Sequence, residues 1–420
     1  MTNRSEDGAF AAGYASLPPP PTSVPTQTVL GGMYTYNWGP EGVTITVEEV
    51  RPNRDRMLQG ELKIVGSPEG HIHGCRLGFL NTRMFGEIAR HCERRDTRGR
   101  DWIAIIEQVA QLTMEHYRTG EPLLNLGEVT PPPEPAFRLR PFIVDGEATI
   151  IYGEGGIGKS YIAGYMAALV DQGLSTDLCE PIPGTVLYLD YETTGDIAAR
   201  RMQAMTRGFG VGGVSKVLYR FCHQSLPAEI SAIQRIVAER NVSLIVIDSA
   251  GPACGGDPES AASAINYFTA LRSLRRASIT IAHRSKGGSV GPFGSVYWVN
   301  YPRMSFELRK AQEEESDVMH VALLHRKVND GRLMHPLSFK IQWHHSGVVT
   351  VGQEAIEAVP EFHGELSIPD QLALILEKQG PKTAKELQEA TGLAPGSVTT
   401  TLSRNNRFQS IGGQRWDLIG

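Results

Sequence analysis

The stretch GEGGIGKSY, residues 153–161, carries the plainest chemical statement in this chain. Gly153, Gly158, Lys159 and Ser160 satisfy the pattern G-x-x-x-x-G-K-[S/T]. A glycine-rich turn lets successive backbone N–H groups curl around a phosphate. The lysine adds a mobile positive charge, and the hydroxyl suits Mg²⁺. Gly153, Glu154, Gly155, Gly156, Ile157, Gly158, Lys159, Ser160 and Tyr161 are therefore the candidate residues for holding ATP. Two carboxylates complete a hydrolytic constellation. SLIVIDS (243–249) leads to Asp248, placed with Ser160 to support the Mg²⁺ and its water shell. TVLYLDYE (185–192) ends on Glu192, a base for the attacking water, with Asp190 as the rival.

The elements around these residues must bring them together. ATIIYG precedes the glycine loop and SYIAGYMAALVDQG follows it, which is the strand–loop–helix context such a loop needs. TVLYLDYE leads into a helix through ARRMQAM, and LIVID is followed by a long helix over 258–276 and then SITIAH. Near-continuous apolar strands alternating with helices predict an α/β fold around a parallel sheet buried on both faces. The formal net charge of −5 excludes a globally basic nucleic-acid binder, so such contacts must be local. Five cysteines without a CxxC pair fit a reducing compartment better than a disulfide framework. No apolar run is long enough for a membrane span, and the amino terminus lacks a signal-peptide core. A cytoplasmic protein with no membrane partner is expected.

Taken in order, GEGGIGKS, LYLDYE, LIVIDS, IAHRSK and GSVYWVNYPR resemble RecA-type P-loop ATPases, specifically the plasmid RepA hexameric helicase family and more distantly DnaB-type helicases. The resemblance covers residues 137–345 and implies a RecA-like core. It makes Glu192 the catalytic glutamate and His283, within His283–Lys286, a sensor of the γ-phosphate. The glycine-rich loop 286–295, with Arg284 and Lys286, would face single-stranded DNA, or be a plain surface loop. Arg303 would act on the neighbouring subunit's nucleotide, and Arg326 and Lys327 would approach it too or be solvated strand-end charges. Homo-oligomerisation, with six subunits favoured, follows from this resemblance alone.

The flanks are read from pattern. Residues 1–28 are expected to be a disordered tail, 29–120 a small α+β domain, and 121–136 a Pro-rich linker. The ATPase domain spans 137–352, and 353–365 is a second linker. Residues 366–420 read as helix, helix, turn, helix and two short strands around Gly412–Gly413, the order of a winged helix. Its third helix would present Ser397, Thr399, Thr400, Ser403 and Arg404 to duplex DNA, although winged helices also dock proteins. In the amino-terminal domain, residues 81–100 hold six arginines against three acids, either a phosphate-contacting patch or a solvated helix face. His71, His73 and Cys75, followed by His91 and Cys92, meet no standard zinc spacing. The functional expectation is an ATP-dependent DNA motor acting in replication or maintenance of a plasmid, phage or mobile element. Its rivals are an ATP-regulated DNA-bound loader or regulator, and a signalling ATPase or small-molecule kinase.

Overall fold

The computed structural model describes residues 24–30, 32–120, 123–131, 136–210, 214–285 and 291–419. The chain divides into two compact units, Met1–Thr130 and Pro131–Gly420. Among the described residues no helix is long and apolar enough to cross a membrane.

The first unit is an antiparallel meander, β1 (Thr26–Leu30), β2 (Met33–Trp38), β3 (Val43–Pro52), β4 (Leu58–Gly66) and β5 (Gly70–Gly78), followed by α1 (Thr82–Glu93) and α2 (Trp102–Thr119). Alternation in β3 buries Val43, Ile45 and Val47 against Trp102, Ile106 and Val109 of α2. The sequence pattern anticipates β3, β4 and β5 but not the first two strands. Thr26–Thr28 belong to β1 rather than to a tail, and residues 1–23 lie outside the described residues.

Part of the arginine-rich stretch has structural partners. Arg95 donates to the Ile72 carbonyl at 2.6 Å and Arg98 to that of Glu41 at 3.4 Å. Arg100 is 3% exposed between Glu69 and Asp96. These three tie down the α1–α2 connection, while Arg83, Arg90, Arg94, Arg95 and Arg98 stay exposed. His73 stacks on His91 at 5.1 Å, while a register shift beside Ile72 interrupts the strand alternation between His71 and His73. All five cysteines are free, and no described group of His, Cys, Asp and Glu is arranged for a metal ion.

The second unit opens with β6 (Phe137–Arg140), β7 (Ile143–Val144), β8 (Ala148–Gly153), α3 (Lys159–Gln172), β9 (Glu180–Pro181), β10 (Thr185–Asp190) and α4 (Gly195–Gly208). β11 (Leu218–Phe221), α5 (Leu226–Glu239), β12 (Val242–Asp248), α6 (Ala250–Ala253), α7 (Ala261–Ser273), β13 (Ala277–His283) and α8 (Tyr297–Asn300) follow. β14 (Met304–Ala311), β15 (Val318–Val328), β16 (Leu337–Trp343) and β17 (Val349–Glu354) complete its nine-stranded sheet, in the order β11-β10-β12-β13-β8-β14-β15-β16-β17. β11 to β14 of that order run parallel, and β15 to β17 are antiparallel. This is a RecA-like α/β core, with β13 between the glycine-loop strand and the Asp248 strand. Residues 162–170 of α3 are all buried, because the sheet and α4 enclose the helix.

Three expectations change here. The sheet is not wholly parallel, since the short connections 312–317, 329–336 and 344–348 reverse the chain without crossover helices. β11 and α5, weakly apolar in sequence, were not anticipated, and the long helix expected over 258–276 begins only at Ala261. The span 353–365 is not a free linker. Its 3-10 turns, Ile356–Ala358 and Pro360–Glu365, bury Ile356, Val359 and Phe362 against Ala322 and Leu324 of β15.

The chain ends in α9 (Ile368–Gln379), β18 (Lys382–Thr383), α10 (Ala384–Thr391), α11 (Pro395–Arg404), β19 (Phe408–Gly412) and β20 (Arg415–Leu418). The strands pair as β18-β20-β19. A capping box between Thr383 and Glu386 starts α10, and Val398 and Leu402 seat α11 against Leu372, Leu376 and Leu387. Leu374 of α9 faces the other way, into the cluster formed by the 3-10 turns and β15. This terminal module is therefore joined to the sheet by an apolar contact rather than by a tether.

Candidate functional site

The phosphate loop is built where β8 meets α3. Gly158 has φ +88, and a Cβ there would lie 2.8 Å from Met319 Cε. The left-handed backbone thus favours glycine, and a Cβ would also push on the Met319 side chain below. A Cβ on Gly153 would meet Ile157 Cδ1 at 2.1 Å, so the side chain that folds under the loop requires that glycine too. Lys159 opens α3, is buried, and donates from Nζ to the carbonyls of Gly153 at 3.1 Å and Glu154 at 2.5 Å. Burial pulls its ammonium below the ordinary lysine value, opposed by Asp248 and Glu192. The lysine is held at the loop by two weak acceptors that a phosphate oxygen can displace.

One cavity of about 290 Å³ is lined by the loop, Glu192, Asp248, Ser249 and His283. Four separate strand ends, of β8, β10, β12 and β13, deliver these groups to one edge of the sheet. Asp248 is buried and accepts from the Tyr188 hydroxyl at 2.7 Å and from Ser160. Burial raises its carboxyl above the usual aspartate value, against the lowering by those two donors. An all-oxygen pair of one hydroxyl and one carboxylate, beside a phosphate loop, is the donor set of a Mg²⁺ that keeps most of its waters. The residues fit the ion.

Asp190 and Glu192 separate cleanly. Asp190 is 1% exposed and accepts from the Glu192 and Thr193 amides, both at 2.9 Å, and from the Thr193 hydroxyl. It shapes the turn after β10 and has no room to act as a base. Glu192 is exposed to the cavity and accepts from the Ser249 hydroxyl. His283 pairs with Gly153 across the sheet, at the same edge.

Other expected residues fall elsewhere. Arg284 turns toward buried Glu307, at 3.4 Å, instead of outward to a DNA strand. Its neighbour Ser285 donates from its amide to Gly291, closing the base of the loop. Lys286 lies outside the described residues, as does the rest of 286–290. Arg303 sits beside Ala148, at the opposite end of β8 from Gly153. Five residue steps of strand, roughly 17 Å, separate it from its own phosphate loop. Its guanidinium pairs with Glu147 at 3.4 Å and Asp330 at 3.6 Å. Trp298, packed on Tyr267 and Phe268, anchors the segment that carries it. Arg326 bridges Glu307 and Glu365, and Lys327 caps the carbonyls of Val299, Asn300 and Pro302. Thr399 and Arg404 lie on the exposed face of α11.

Sequence reasoning missed Arg201, Tyr188 and Trp343. Arg201 of α4 lines the same cavity and lies over the Tyr161 ring at 5.2 Å. The pair Arg200–Arg201 was the only local signal, and helix phase alone chooses between them. Trp343 ends β16, 182 positions from Tyr161, yet its indole N–H donates to the Tyr161 hydroxyl at 3.1 Å. Only the sheet order makes them neighbours.

Residues 121–289 match a family described as AAA domain. The matched span holds the phosphate loop, Glu192, Asp248 and His283, all on one sheet edge. That span carries the phosphate loop on the RecA-like α/β core. Neither Arg303 nor the terminal module falls within the match. Among solved structures, a KaiC-like protein from the hyperthermophilic archaeon Pyrococcus horikoshii OT3 is 14% identical, with a TM-score of 0.37, covering 50% of this chain and 93% of that one. No curated protein sequence matches the chain.

Proposed function

We propose that the protein is an ATP-driven DNA motor of the RepA-like oligomeric helicase kind, serving replication or maintenance of a plasmid, phage or mobile element. The observation that supports it most is the convergence of Lys159, Glu192, Asp248 and His283 on one cavity. In the hydrolysis step Lys159 leaves the Gly153 and Glu154 carbonyls and follows the β- and γ-oxygens. Glu192 accepts the proton of a water whose oxygen attacks the γ-phosphorus as the bond to the bridging β–γ oxygen breaks. Ser160 and Asp248 would hold Mg²⁺, which neutralises charge on the phosphates. His283, at the cavity edge and at the foot of the 286–295 loop, would report the γ-phosphate to single-stranded DNA. Arg303 is too far from its own loop to act on it, which suits action on a neighbour in a head-to-tail ring, a hexamer by family resemblance.

The terminal module has the helix and strand order of a winged helix, and exposed Thr399 and Arg404 suit duplex DNA contacts. The second reading, an ATP-regulated loader or regulator without unwinding, is favoured by the seating of that module on β15 through Leu374. ATPase measured with and without single-stranded DNA, strand displacement and native mass separate the two. A motor is an oligomer whose hydrolysis rises with DNA and which unwinds a forked duplex, and Lys159→Ala abolishes both. DNA-stimulated hydrolysis without unwinding selects the loader. A strictly monomeric ATPase indifferent to DNA refutes both and restores the signalling ATPase or kinase.

A further inference from the structure

We infer that Trp343, held edge-on by Tyr161, is the platform on which the nucleobase stacks, so that the site selects purine over pyrimidine triphosphates by ring area. The inference rests on the phosphate-loop reading and deepens it. The loop fixes the phosphates at Gly155–Ser160, and the walls beside Glu192, Asp248 and His283 are charged or polar. The same cavity is also lined by Tyr161, Arg201, Gln312, Met319 and Trp343, and the Tyr161–Trp343 pair gives it an aromatic wall for a base bound at the same time.

The chemistry of this wall suits a flat aromatic ring. Tyr161 immediately follows Ser160, so the aromatic wall begins where the hydroxyl that would face the metal ends. Its ring meets that of Trp343 at 5.5 Å and 88°, an edge-to-face contact that fixes the indole plane. The indole N–H is already satisfied by the Tyr161 hydroxyl, leaving a π-face as the indole's means of engaging a ligand. Arg201 lies over the Tyr161 ring at 5.2 Å and helps to hold the tyrosine in place. One Gln312 side-chain N–H is engaged by the Ser316 carbonyl at 3.1 Å. Stacking on the indole tolerates either purine, because every base has a π-face and purines offer the larger one.

The test measures Mg²⁺-dependent binding of ATP, GTP, CTP and inorganic tripolyphosphate to the full chain by calorimetry. Wild type is expected to bind ATP and GTP within about threefold of each other, and both about tenfold more tightly than CTP or tripolyphosphate. Trp343→Ala should lower ATP affinity about tenfold, toward that of tripolyphosphate, with tripolyphosphate binding unchanged. Trp343→Phe should keep most of the difference, which guards against a folding defect. The inference is overturned if Trp343→Ala binds ATP as wild type does, if the variant loses ATP and tripolyphosphate affinity alike, or if CTP matches ATP in wild type. Failure of wild type to bind any of the four would instead refute the phosphate-loop reading beneath it.

Discussion

Glu307 offers the sharpest energetic test of how the ATPase unit is held together. It lies on β14 with 1% exposure and faces three guanidinium groups: Arg326 at 2.8 Å, Arg309 at 2.9 Å and Arg284 at 3.4 Å. The Arg326 contact is a hydrogen bond, whereas Oε1 meets Arg309 and Arg284 as charges without hydrogen-bond alignment. Glu307→Gln keeps the shape and removes the one anion at the centre. Breaking a buried ion pair typically costs 3–5 kcal/mol, but these arginines are 22–36% exposed and water can answer part of their charge. The lower end, about 3 kcal/mol, is therefore expected. For a unit the size of 131–420 that is a fall of roughly 6 °C in the midpoint of thermal unfolding. Scanning calorimetry of the full chain supplies its own control, because the amino-terminal unit has a separate core and its transition should stay in place. Arg284→Met should cost less than Arg326→Met, since Arg326 also reaches Glu365 at 3.1 Å. A Glu307→Gln shift below about 2 °C, or the reverse order of the arginine variants, would refute the argument that one buried carboxylate organises this cluster.

Three further outcomes are expected. Glu192→Gln should lower kcat by about 10²–10⁴-fold while ATP binding by calorimetry is retained, whereas a loss of binding would place Glu192 in ground-state contacts instead. Arg303→Ala should leave nucleotide affinity unchanged and lower turnover of the assembled protein about a thousandfold, and normal turnover would remove the trans assignment. His325 is 7% exposed, stacked on Phe306 at 4.8 Å and accepting from the Met334 amide at 3.1 Å, and burial holds its pKa below the usual histidine value. Because the native state resists its protonation, stability present above about pH 6.5 should fall as the pH drops below it and level off beneath the depressed native value. His325→Leu should flatten that part of the stability–pH curve measured by denaturant unfolding.

Where a residue's role depends on its immediate neighbours, the chain could be read directly. The glycine loop, the buried strands ending on Asp248 and the capping box at Thr383 are all short-range patterns, because backbone conformation, strand alternation and helix capping are decided within a few residues. Charge density alone could not show that Arg100 of the 81–100 stretch is buried beside Glu69, or that Arg95 and Arg98 also reach carbonyls of Ile72 and Glu41. The span 353–365 looked like a connector because its apolar residues have no partners nearby in sequence; β15 supplies them. Trp343 and Arg201 reach the ATP cavity only through strand order and helix phase, and Glu307 gathers three arginines from three different segments. Local sequence thus determined which chemistry this protein can attempt, while contacts between residues far apart in the chain decided which side chains take part, since burial and pairing exist only once the sheet has assembled.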